Sequence, residues 1–508
     1  MKFTKRLSVV LLVVLAASIM PAVEHVSAVT APDRPTLFGM ATSDWRNQIP
    51  IFTEKAGKSP ALFQTYWTLQ NTHAADLDWY SRELDTHRGL GVTTYVELTT
   101  DNLAALVSGA DDPAISNLVS GIGAWLGASP SHNLLIAPLP EANLSGAPWS
   151  GDPAGYKAGY LRIWNAFRSA GYGADQVAFV FSMNGWSSGS FTYDQFYPGD
   201  DFVEIIGFSR LNRNDPWRDY EDVFVQHMLD MQETVSYTKP ILVTQAATVG
   251  NGTGGKEAWL AEMFARLPAE DQVIGVIYFN RKKTEGVPLT TYDYRILVDG
   301  VLSSAVQSGY SAWDAPTEAG WIFDGRMDAW VAAREQLYRF PDALGSPFLT
   351  DILWMADQGI TQGCAVDRFC PNAPVTRAQM ATFLDRALSF KATSSDFFTD
   401  DNGSVHQAAI NRMAAAGVTL GCGTDLYCPD NSITRAQMAS FLSRALGLPA
   451  TGTDYFSDDG SSPHQGNINR IAEAGVTLGC ATGLYCPQQL VTRGQMAAFL
   501  HRALAPTG

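Results

Sequence analysis

Cysteine is missing from the larger, N-terminal part of this chain and occurs only in a regular pattern near the C-terminus. The six cysteines form three pairs with five residues between the partners, and the pairs recur every 58 residues. Because no histidine has a fixed position beside these pairs, zinc binding is the weaker interpretation of the spacing. In an exported protein the pattern predicts three local disulfides. The pairs are Cys364–Cys370, Cys422–Cys428 and Cys480–Cys486.

The chain also lacks an excess of basic residues. Its formal net charge is −16, and no stretch resembles a basic stripe. A nucleic-acid partner is therefore not expected, because proteins that bind nucleic acids neutralise phosphates with Lys and Arg. No cofactor and no metal ion are predicted. The acidic balance fits a soluble protein that works outside the cell.

Long apolar runs are scarce after the N-terminus. A basic start precedes the apolar residues 7–19, and small residues at positions 26–28 follow them. This pattern predicts a secretory signal peptide over residues 1–28, because the run is too short to cross a bilayer. No later stretch is long and apolar enough to span a membrane. We therefore expect a secreted protein without a membrane span.

The N-terminal part has no Gly-x-Gly-x-x-Gly phosphate-binding motif after its first apolar run. That absence weighs against an open doubly wound sheet, the alternative fold. Short apolar runs alternate with helix-like stretches, which predicts a parallel sheet with helices outside. Eight such units in roughly 270 residues match the size of a closed (β/α)8 barrel. The predicted strands cover residues 36–41, 62–68, 93–98, 133–139, 177–183, 202–208, 240–244 and 273–280.

The C-terminal third is an internal repeat. The segment "GVTLGCGTDLYCPDNSITRAQMASFLSRAL" ends at Leu446, and close copies of it end at Leu388 and Leu504. Apolar residues at helical spacing predict two helices in each repeat, so this part is expected to be a small, mainly α-helical domain. The predicted boundaries are 29–310 for the barrel, 311–339 for a connector, and 340–392, 393–450 and 451–508 for the repeats.

Each repeat contains a Thr-Arg-Ala/Gly-Gln stretch. In the second repeat Thr434 is the predicted N-cap and Gln437 lies at the third helical position, which forms a capping box. The arginine between them opposes the helix dipole. Its recurrence has two explanations of about equal weight, a fixed structural pair or an anionic ligand. The arginines are Arg377, Arg435 and Arg493.

These motifs resemble S-layer homology domains. The resemblance covers about residues 340–505 and includes an aromatic-x-Asp start, at residues 340–342, 398–400 and 456–458, and a Gly-Ile/Val-Thr turn. In that family three repeats form a pseudo-trimeric prism that binds an anionic secondary cell-wall polymer. The resemblance implies that Arg377, Arg435 and Arg493 contact such a polymer. The paired cysteines and Gly494 depart from the family pattern.

The working residues of a (β/α)8 barrel lie at the C-terminal ends of its strands. Strand four ends in "LIAPLPEANLSGAPW", which places Glu141 at the strand exit with Asn143 and Trp149 in the following loop. A carboxyl group in that position suits general acid catalysis on a glycosidic oxygen, although a lone Glu is more often a surface residue or cap. Four aromatic residues at or after strand ends could stack on sugar rings, although each taken alone is more often a core residue. They are Trp45, Tyr66, Trp67 and Trp186.

The barrel resembles glycoside hydrolase family 26, the β-mannanases and related endo-glycanases, over about residues 36–300. The stretches "PLPEANLSGAPWSGDPAGYKAGYLRIWNAFRSAG", "VAFVFSMN", "YPGDDFVEIIGFS" and "KPILVTQ" carry the resemblance. That family is retaining and uses an acid/base Glu after strand four and a nucleophile Glu after strand seven. Glu141 takes the acid/base place. The nucleophile place falls on Gln245.

A neutral amide is a poor nucleophile, so Gln245 changes what the site can do. Two further departures accompany it: Pro140 replaces the usual His before the acid/base, and Leu211 replaces a Tyr that orients the nucleophile. Together they indicate an altered mechanism. The carboxylates that could substitute are Glu97, at the exit of strand three, and Asp201, although a binding or structural role for Glu97 is favoured.

Three functions remain open on these observations. The first is a wall-anchored hydrolase of a β-linked, mannan-like polysaccharide with an altered mechanism, and we lean towards it. The second is a barrel that binds polysaccharide without cleaving it. The third is a structural surface protein in which the barrel is a spacer. The expected partners are a polysaccharide and an anionic secondary wall polymer, at a bacterial cell surface.

Overall fold

The computed structural model describes residues 34–505, except 72, 188–190, 214–215, 251–254, 286–288 and 318. The predicted signal peptide, residues 1–28, lies outside this range. Among the helices in the described part of the chain, none is both long and apolar enough to cross a membrane.

Eight parallel strands close into a barrel in chain order, with β1 paired to both β2 and β8. The predicted (β/α)8 fold is confirmed. The strands are almost wholly buried, as expected where side chains fill the barrel on one face and helices cover the other. Their bounds are β1 Leu37–Ala41, β2 Leu62–Thr68, β3 Thr93–Thr99, β4 Leu134–Pro138, β5 Val177–Asn184, β6 Ile205–Asn212, β7 Ile241–Thr248 and β8 Val273–Phe279.

Helices surround this barrel, and two short hairpins follow its last strand. The helices are α1 Trp45–Ala56, α2 Asp78–Gly89, α3 Leu103–Ser108, α4 Asp112–Leu126, α5 Pro153–Ser169, α6 Tyr193–Phe196, α7 Gln226–Thr234, α8 Gly255–Arg266, α9 Ser304–Ala312, α10 Gly320–Phe323 and α11 Arg326–Leu337. The hairpins are β9 Lys282–Glu285 with β10 Thr290–Asp293, and β11 Leu297–Val298 with β12 Val301–Leu302.

Residues 311–339, the predicted connector, lie against the barrel. Trp330 in α11 is buried in the same hydrophobic cluster as the barrel strands. Arg334 pairs with Asp271 at 2.6 Å and donates a hydrogen bond to the carbonyl of Tyr237. This part of the chain therefore adds to the barrel core, and the predicted boundaries at 310 and 339 stay predictions.

The sixth and seventh strands run four residues further than the sequence predicts, and β7 contains a bulge. Phe208 pairs with Val243, but the next residue of β6, Ser209, pairs with Gln245. On the other side Val243 pairs with Val276 and Ala246 pairs with Tyr278, so β7 has one extra residue relative to both neighbours. Gln245 therefore lies inside a strand, and the bulge changes the direction of its side chain.

The C-terminal region contains six helices that form a closed ring of three pairs. The helices are α12 Leu349–Asp357, α13 Arg377–Leu388, α14 Gln407–Ala415, α15 Arg435–Ala445, α16 Gln465–Glu473 and α17 Arg493–Leu504. Helix α13 packs on α14, α15 on α16, and α17 returns to α12. At the centre three backbone hydrogen bonds link Val375 to Val491, Ile433 to Val375 and Val491 to Ile433, at 2.9, 3.0 and 3.0 Å.

Local features of each repeat explain its sequence motifs. The predicted capping box is present in all three, as in Thr434 with Gln437 at the start of α15. The aspartate of the aromatic-x-Asp motif accepts two backbone hydrogen bonds from the turn that holds the disulfide. In the second repeat Asp400 accepts from the amides of Tyr427 and Cys428, at 2.7 and 2.8 Å.

The three predicted disulfides are confirmed. Each joins the two cysteines of one pair across a short turn between the helices of a repeat. The aspartate caps and the disulfides therefore fix the same turn in each repeat, where a segment this small buries little apolar surface.

Candidate functional site

A pocket of about 300 Å³ opens at the C-terminal ends of the barrel strands. That volume is at the lower end of the range of ligand pockets. The pocket is lined by Glu141 from the loop after β4, by Asn184 from β5 and by Gln245 from β7. The structure therefore brings together the two positions that the family resemblance assigns to catalysis.

Glu141 is held in a defined orientation by its neighbours. Its backbone has a φ of 59°, a left-handed conformation that is uncommon for residues other than glycine. The Glu141 amide donates to the carbonyl of Ser182 at 2.9 Å. Its carboxylate accepts a hydrogen bond from Asn184 Nδ2 at 2.9 Å and another from the hydroxyl of Ser209. A carboxylate fixed in this way is positioned to contact a ligand in the pocket.

Asn143 and Trp149 support the Glu141 loop. The amide of Asn143 donates to the carbonyl of Asn184 at 2.7 Å and accepts from the Asn184 backbone amide at 2.9 Å. The indole of Trp149 donates to the carbonyl of Pro140 at 2.8 Å. Both side chains are buried, so their contacts position Glu141.

Gln245 is bound to two groups on the opposite side of the barrel. Its Nε2 donates to the hydroxyl oxygen of Tyr66 at 3.1 Å and to the carboxyl oxygens of Glu97 at 3.2 and 3.3 Å. The preceding residue, Thr244, also reaches the barrel interior, where its hydroxyl contacts that of Ser182 at 2.8 Å. Adjacent residues of a regular strand face opposite sides, so this arrangement depends on the bulge in β7.

Glu97 is a buried carboxyl group with a changed proton affinity. Its side chain belongs to β3, and only 3% of the residue is exposed. Burial, followed by the nearby negative charge of Glu141, raises the pKa of Glu97 to about 8. At neutral pH the group is therefore largely protonated, although the hydrogen bond donated by Gln245 acts in the opposite direction and lowers the pKa of Glu97.

The aromatic residues proposed from the sequence divide into two groups. Trp186 lines the pocket and is 55% exposed, and the hydroxyl of Tyr66 accepts a hydrogen bond from Gln245, which lines the pocket. Trp45 is buried against Phe63 and His87, and Trp67 is buried against Trp79 and Tyr80. The structure places Trp45 and Trp67 in the core and does not bring them to the site.

Leu211 and Asp201, which were also singled out from the sequence, differ in whether they line the pocket. Leu211 lines the pocket as the penultimate residue of β6. Asp201 is an exposed residue of a short 3-10 helix before β6 and does not line the pocket. Within the described residues, Glu97 contacts Gln245 directly, and Glu141 lines the same pocket as Gln245.

The three repeat arginines are buried between repeats. Arg377, Arg435 and Arg493 are 6%, 3% and 3% exposed. Arg435 Nε donates to the carbonyl of Tyr485 at 2.7 Å, its guanidinium lies 4.8 Å from the Tyr485 ring, and the Tyr485 hydroxyl donates back to the Arg435 carbonyl at 2.8 Å. Arg377 makes the same contacts with Tyr427, and Arg493 binds the carbonyl of Phe369.

These contacts run from repeat 1 to 2, from 2 to 3, and from 3 back to 1. A fixed structural pairing, one of the two explanations given by the sequence, is therefore present. In each arginine Nη2 is also buried without a hydrogen-bond partner within the described structure. The role in polymer binding stays a prediction.

Residues 339–381, 397–439 and 455–497 match the family model of the S-layer homology domain. These segments are three S-layer homology repeats. Repeats of this kind indicate anchoring at a bacterial cell surface.

Similar curated proteins include an endoglucanase from Bacillus sp. strain KSM-635, 37% identical over 17% of this chain and 9% of that protein. An amylopullulanase from Thermoanaerobacterium thermosulfurigenes is 29% identical over 30% of this chain and 9% of that protein. An S-layer protein from Bacillus thuringiensis subsp. finitimus is 27% identical over 32% of this chain and 21% of that protein. The chain spans only 9–21% of the length of these relatives.

Solved structures with some similarity to this chain include endo-β-1,4-mannanases. A Cellulomonas fimi endo-β-1,4-mannanase double mutant is 17% identical, with a TM-score of 0.41, over 55% of this chain and 71% of that one. A family 26 protein from Muricauda sp. is 12% identical, with a TM-score of 0.41, over 54% of this chain and 84% of that one. The barrel of the present protein is established by its own strand pairing.

Several residues of the site were not found from the sequence. Ser209 and Asn184 hold the Glu141 carboxylate, and Arg210 and Arg218 line the pocket. Asn184, Ser209 and Arg210 lie at or near the ends of β5 and β6, and Arg218 lies in the loop after β6. This position was a usable signal, because strand ends carry the site in this fold. Because the predicted strand ended at residue 208, Ser209 and Arg210 were not recognised as residues of β6.

Proposed function

We propose that this chain is a cell-surface protein whose barrel binds a polysaccharide and whose three repeats attach it to the cell wall. One observation carries the proposal for the barrel: a fixed carboxylate and an exposed tryptophan, Glu141 and Trp186, share one pocket with an amide at the nucleophile position. A carboxylate and an aromatic face are groups that bind sugar hydroxyls and rings.

Binding without hydrolysis is the favoured activity. A retaining glycosidase needs two carboxyl groups about 5 Å apart, one of them an ionised nucleophile. The amide of Gln245 cannot serve in that way, and both of its interactions through Nε2 are those of a donor. Glu97, the neighbouring carboxyl group, is largely protonated at neutral pH and is therefore a poor nucleophile.

Hydrolysis of a β-linked, mannan-like polysaccharide is the second candidate. The pKa of Glu97 near 8 supports it, because a protonated carboxyl group can act as a general acid. In such a scheme Glu97 or Glu141 would protonate the leaving oxygen while the other activates water. An inverting mechanism of this kind needs a separation of roughly 6.5–9.5 Å between the carboxyl groups.

The two candidates are separated by a panel of soluble β-mannans, β-glucans and xylans. We expect the wild type to bind at least one polysaccharide and to release no reducing sugar. The Gln245→Glu variant restores the missing carboxylate, so hydrolysis should appear in that variant alone and should disappear again in Gln245→Glu/Glu141→Gln. Hydrolysis by the wild type that is lost in Glu141→Gln would instead establish the second candidate.

Attachment to the wall through the repeats is supported by the three S-layer homology segments and by their closed ring. The full-length protein should sediment with purified bacterial cell walls. A chain that ends before residue 340 keeps the barrel and should remain in the supernatant. If both sediment equally, the repeats are not the anchor. If the full chain sediments but binds neither neutral nor anionic glycans, the barrel is a structural spacer.

A further inference from the structure

The charge of the strand-end pocket is opposite to the charge of the chain. The whole sequence carries a formal net charge of −16. The residues lining the pocket nevertheless include four basic side chains and one carboxylate, that of Glu141. The basic side chains are Arg210, Arg213, Arg218 and Lys283. An acidic protein that concentrates cations in one cleft creates a local positive potential there.

These cations are only partly compensated by the protein. Arg213 and Lys283 both pair with Glu285, at 2.8 and 3.0 Å, so a single carboxylate serves two cations. Within the described residues neither Arg210 nor Arg218 has an ion-pair partner. The Glu141 carboxylate is already bound by Asn184 and Ser209.

Arg210 is the least compensated member of this group. Its Nε is buried and has no hydrogen-bond partner among the residues described. Burial, followed by the positive charges of Arg218 and Arg213, lowers the pKa of Arg210 to about 10. Tyr193 and Asp222 act on it in the opposite direction without reversing the effect. Arg210 nevertheless remains charged at neutral pH.

His227, which is near Arg210 and Arg218, does not change the net charge of this group of side chains. Burial, followed by the charges of Arg210 and Arg218, lowers the pKa of His227 to about 4, so His227 is neutral at physiological pH. The cost of holding two arginines together would fall if an anion bound between them. Arginine is suited to that role because its planar guanidinium binds a carboxylate or sulfate through two hydrogen bonds.

We propose that the pocket takes an anionic sugar, one that carries a carboxylate or a sulfate ester, with the charged group held by Arg210 and Arg218. Trp186, which lines the same pocket and is 55% exposed, offers an aromatic face for the sugar ring. The inference rests on the proposed carbohydrate-binding function and specifies its ligand class. A charged glycan, and not a neutral mannan, is then the preferred ligand of the barrel.

The test compares matched ligands on the full-length protein. Oligosaccharides that contain hexuronic acid are measured by calorimetry beside their carboxyl-reduced forms, and sulfated oligosaccharides beside their desulfated forms. At least one anionic member should bind ~tenfold or more tightly than its neutral partner, and its affinity should fall as salt rises from about 20 to 200 mM. The two pairs of ligands show whether the carboxylate or the sulfate is recognised.

Variants then assign the effect to the arginines. Arg210→Gln and Arg218→Gln should each remove most of the preference for the anionic member, whereas Arg218→Lys should retain part of it. Lys391→Gln removes the same charge from an exposed position in the repeats and should leave binding unchanged. Circular dichroism identifies any arginine variant that fails to fold, and Arg218→Lys then decides the result.

Each contrary result has a distinct meaning. Equal or tighter binding of the neutral members, unaffected by the arginine variants, overturns the inference and leaves the carbohydrate function in place. Absence of binding to every anionic and neutral glycan removes both the inference and the proposed function of the barrel.

Discussion

Gln245 and Glu97 form a pair in which a neutral amide faces a carboxyl group that retains its proton. Glu97 lies on β3 and Gln245 on β7, and the amide nitrogen contacts both carboxyl oxygens of Glu97. Because the carboxyl group is buried and near Glu141, its charged form is disfavoured. The pair is therefore stable as a hydrogen-bonded contact at neutral pH, and ionisation of Glu97 carries a cost in folding free energy.

This cost predicts a pH dependence of stability. The native protein holds the Glu97 proton up to about pH 8, whereas the unfolded chain releases it near the ordinary value of 4.5. Between these values the unfolded state binds fewer protons, so the wild type should lose stability as pH rises, by up to about 1.4 kcal/mol per pH unit. Glu97→Gln cannot ionise and should lose less.

Urea unfolding of the barrel at pH 5, 7 and 9 measures the difference. The two proteins should be closest in stability at pH 5 and furthest apart at pH 9, with the variant the more stable. Glu233→Gln, at an exposed position of α7, is the matched control and should follow the wild type. Parallel curves for wild type and Glu97→Gln would contradict a raised pKa at this residue.

At the scale of elements, a strand bulge in the barrel and a hydrogen-bonded turn in each repeat determine the local backbone geometry. The bulge in β7 allows Thr244 and Gln245 to reach the barrel interior together. In the repeats, the turn after the first helix is held by an aspartate that accepts two backbone hydrogen bonds. Asp342, Asp400 and Asp458 do this in the three repeats. The aspartate of the aromatic-x-Asp motif therefore binds the backbone amides of this turn.

Replacing Asp400 by Ala should loosen the turn of the second repeat alone. The amides of Tyr427 and Cys428 lose their acceptor, at a cost of ~1–3 kcal/mol. Hydrogen exchange of a peptide covering residues 426–429 should accelerate. The equivalent peptide of the third repeat, residues 484–487, is an internal control whose exchange should stay as in the wild type. Equal protection of both peptides would show that the cap contributes little.

The whole molecule combines two stabilising strategies in one chain. The barrel contains no cysteine and depends on a large hydrophobic cluster that includes α11. The repeats bury a smaller cluster of their own, close into a ring through α17 and α12, and carry all three disulfides. We therefore expect the ring to respond to redox conditions and the barrel to be indifferent to them.

Calorimetry with and without a reductant tests this difference. Each disulfide closes a short loop and contributes ~2 kcal/mol, so reduction of all three should lower the unfolding temperature of the ring by about 10 °C or more. The transition of the barrel should not move. The Cys422→Ser/Cys428→Ser variant should show a smaller effect of reductant on the ring. A shift of both transitions together would mean that the two parts unfold as one unit.

Much of this architecture follows from periodic patterns in the sequence. The eight strands, the three disulfides and the capping boxes are all local or repeating features, and the structure confirms them. The family resemblance also located Glu141 and Gln245, which the structure brings to one pocket. Trp45 and Trp67 show the limit of such reasoning, because an aromatic residue at a strand end can turn to either face of the barrel wall.

The sequence by itself determined the alternation that makes a barrel, the repeat that makes a ring, and the replacement of an expected carboxylate by Gln245. Only the tertiary structure decided what surrounds that amide. The bulge in β7, the burial that keeps Glu97 protonated and the gathering of Arg210 and Arg218, which have no ion-pair partner among the described residues, all depend on residues far apart in the chain. Such properties arise from strand register and exclusion of water, which no local pattern of residues specifies.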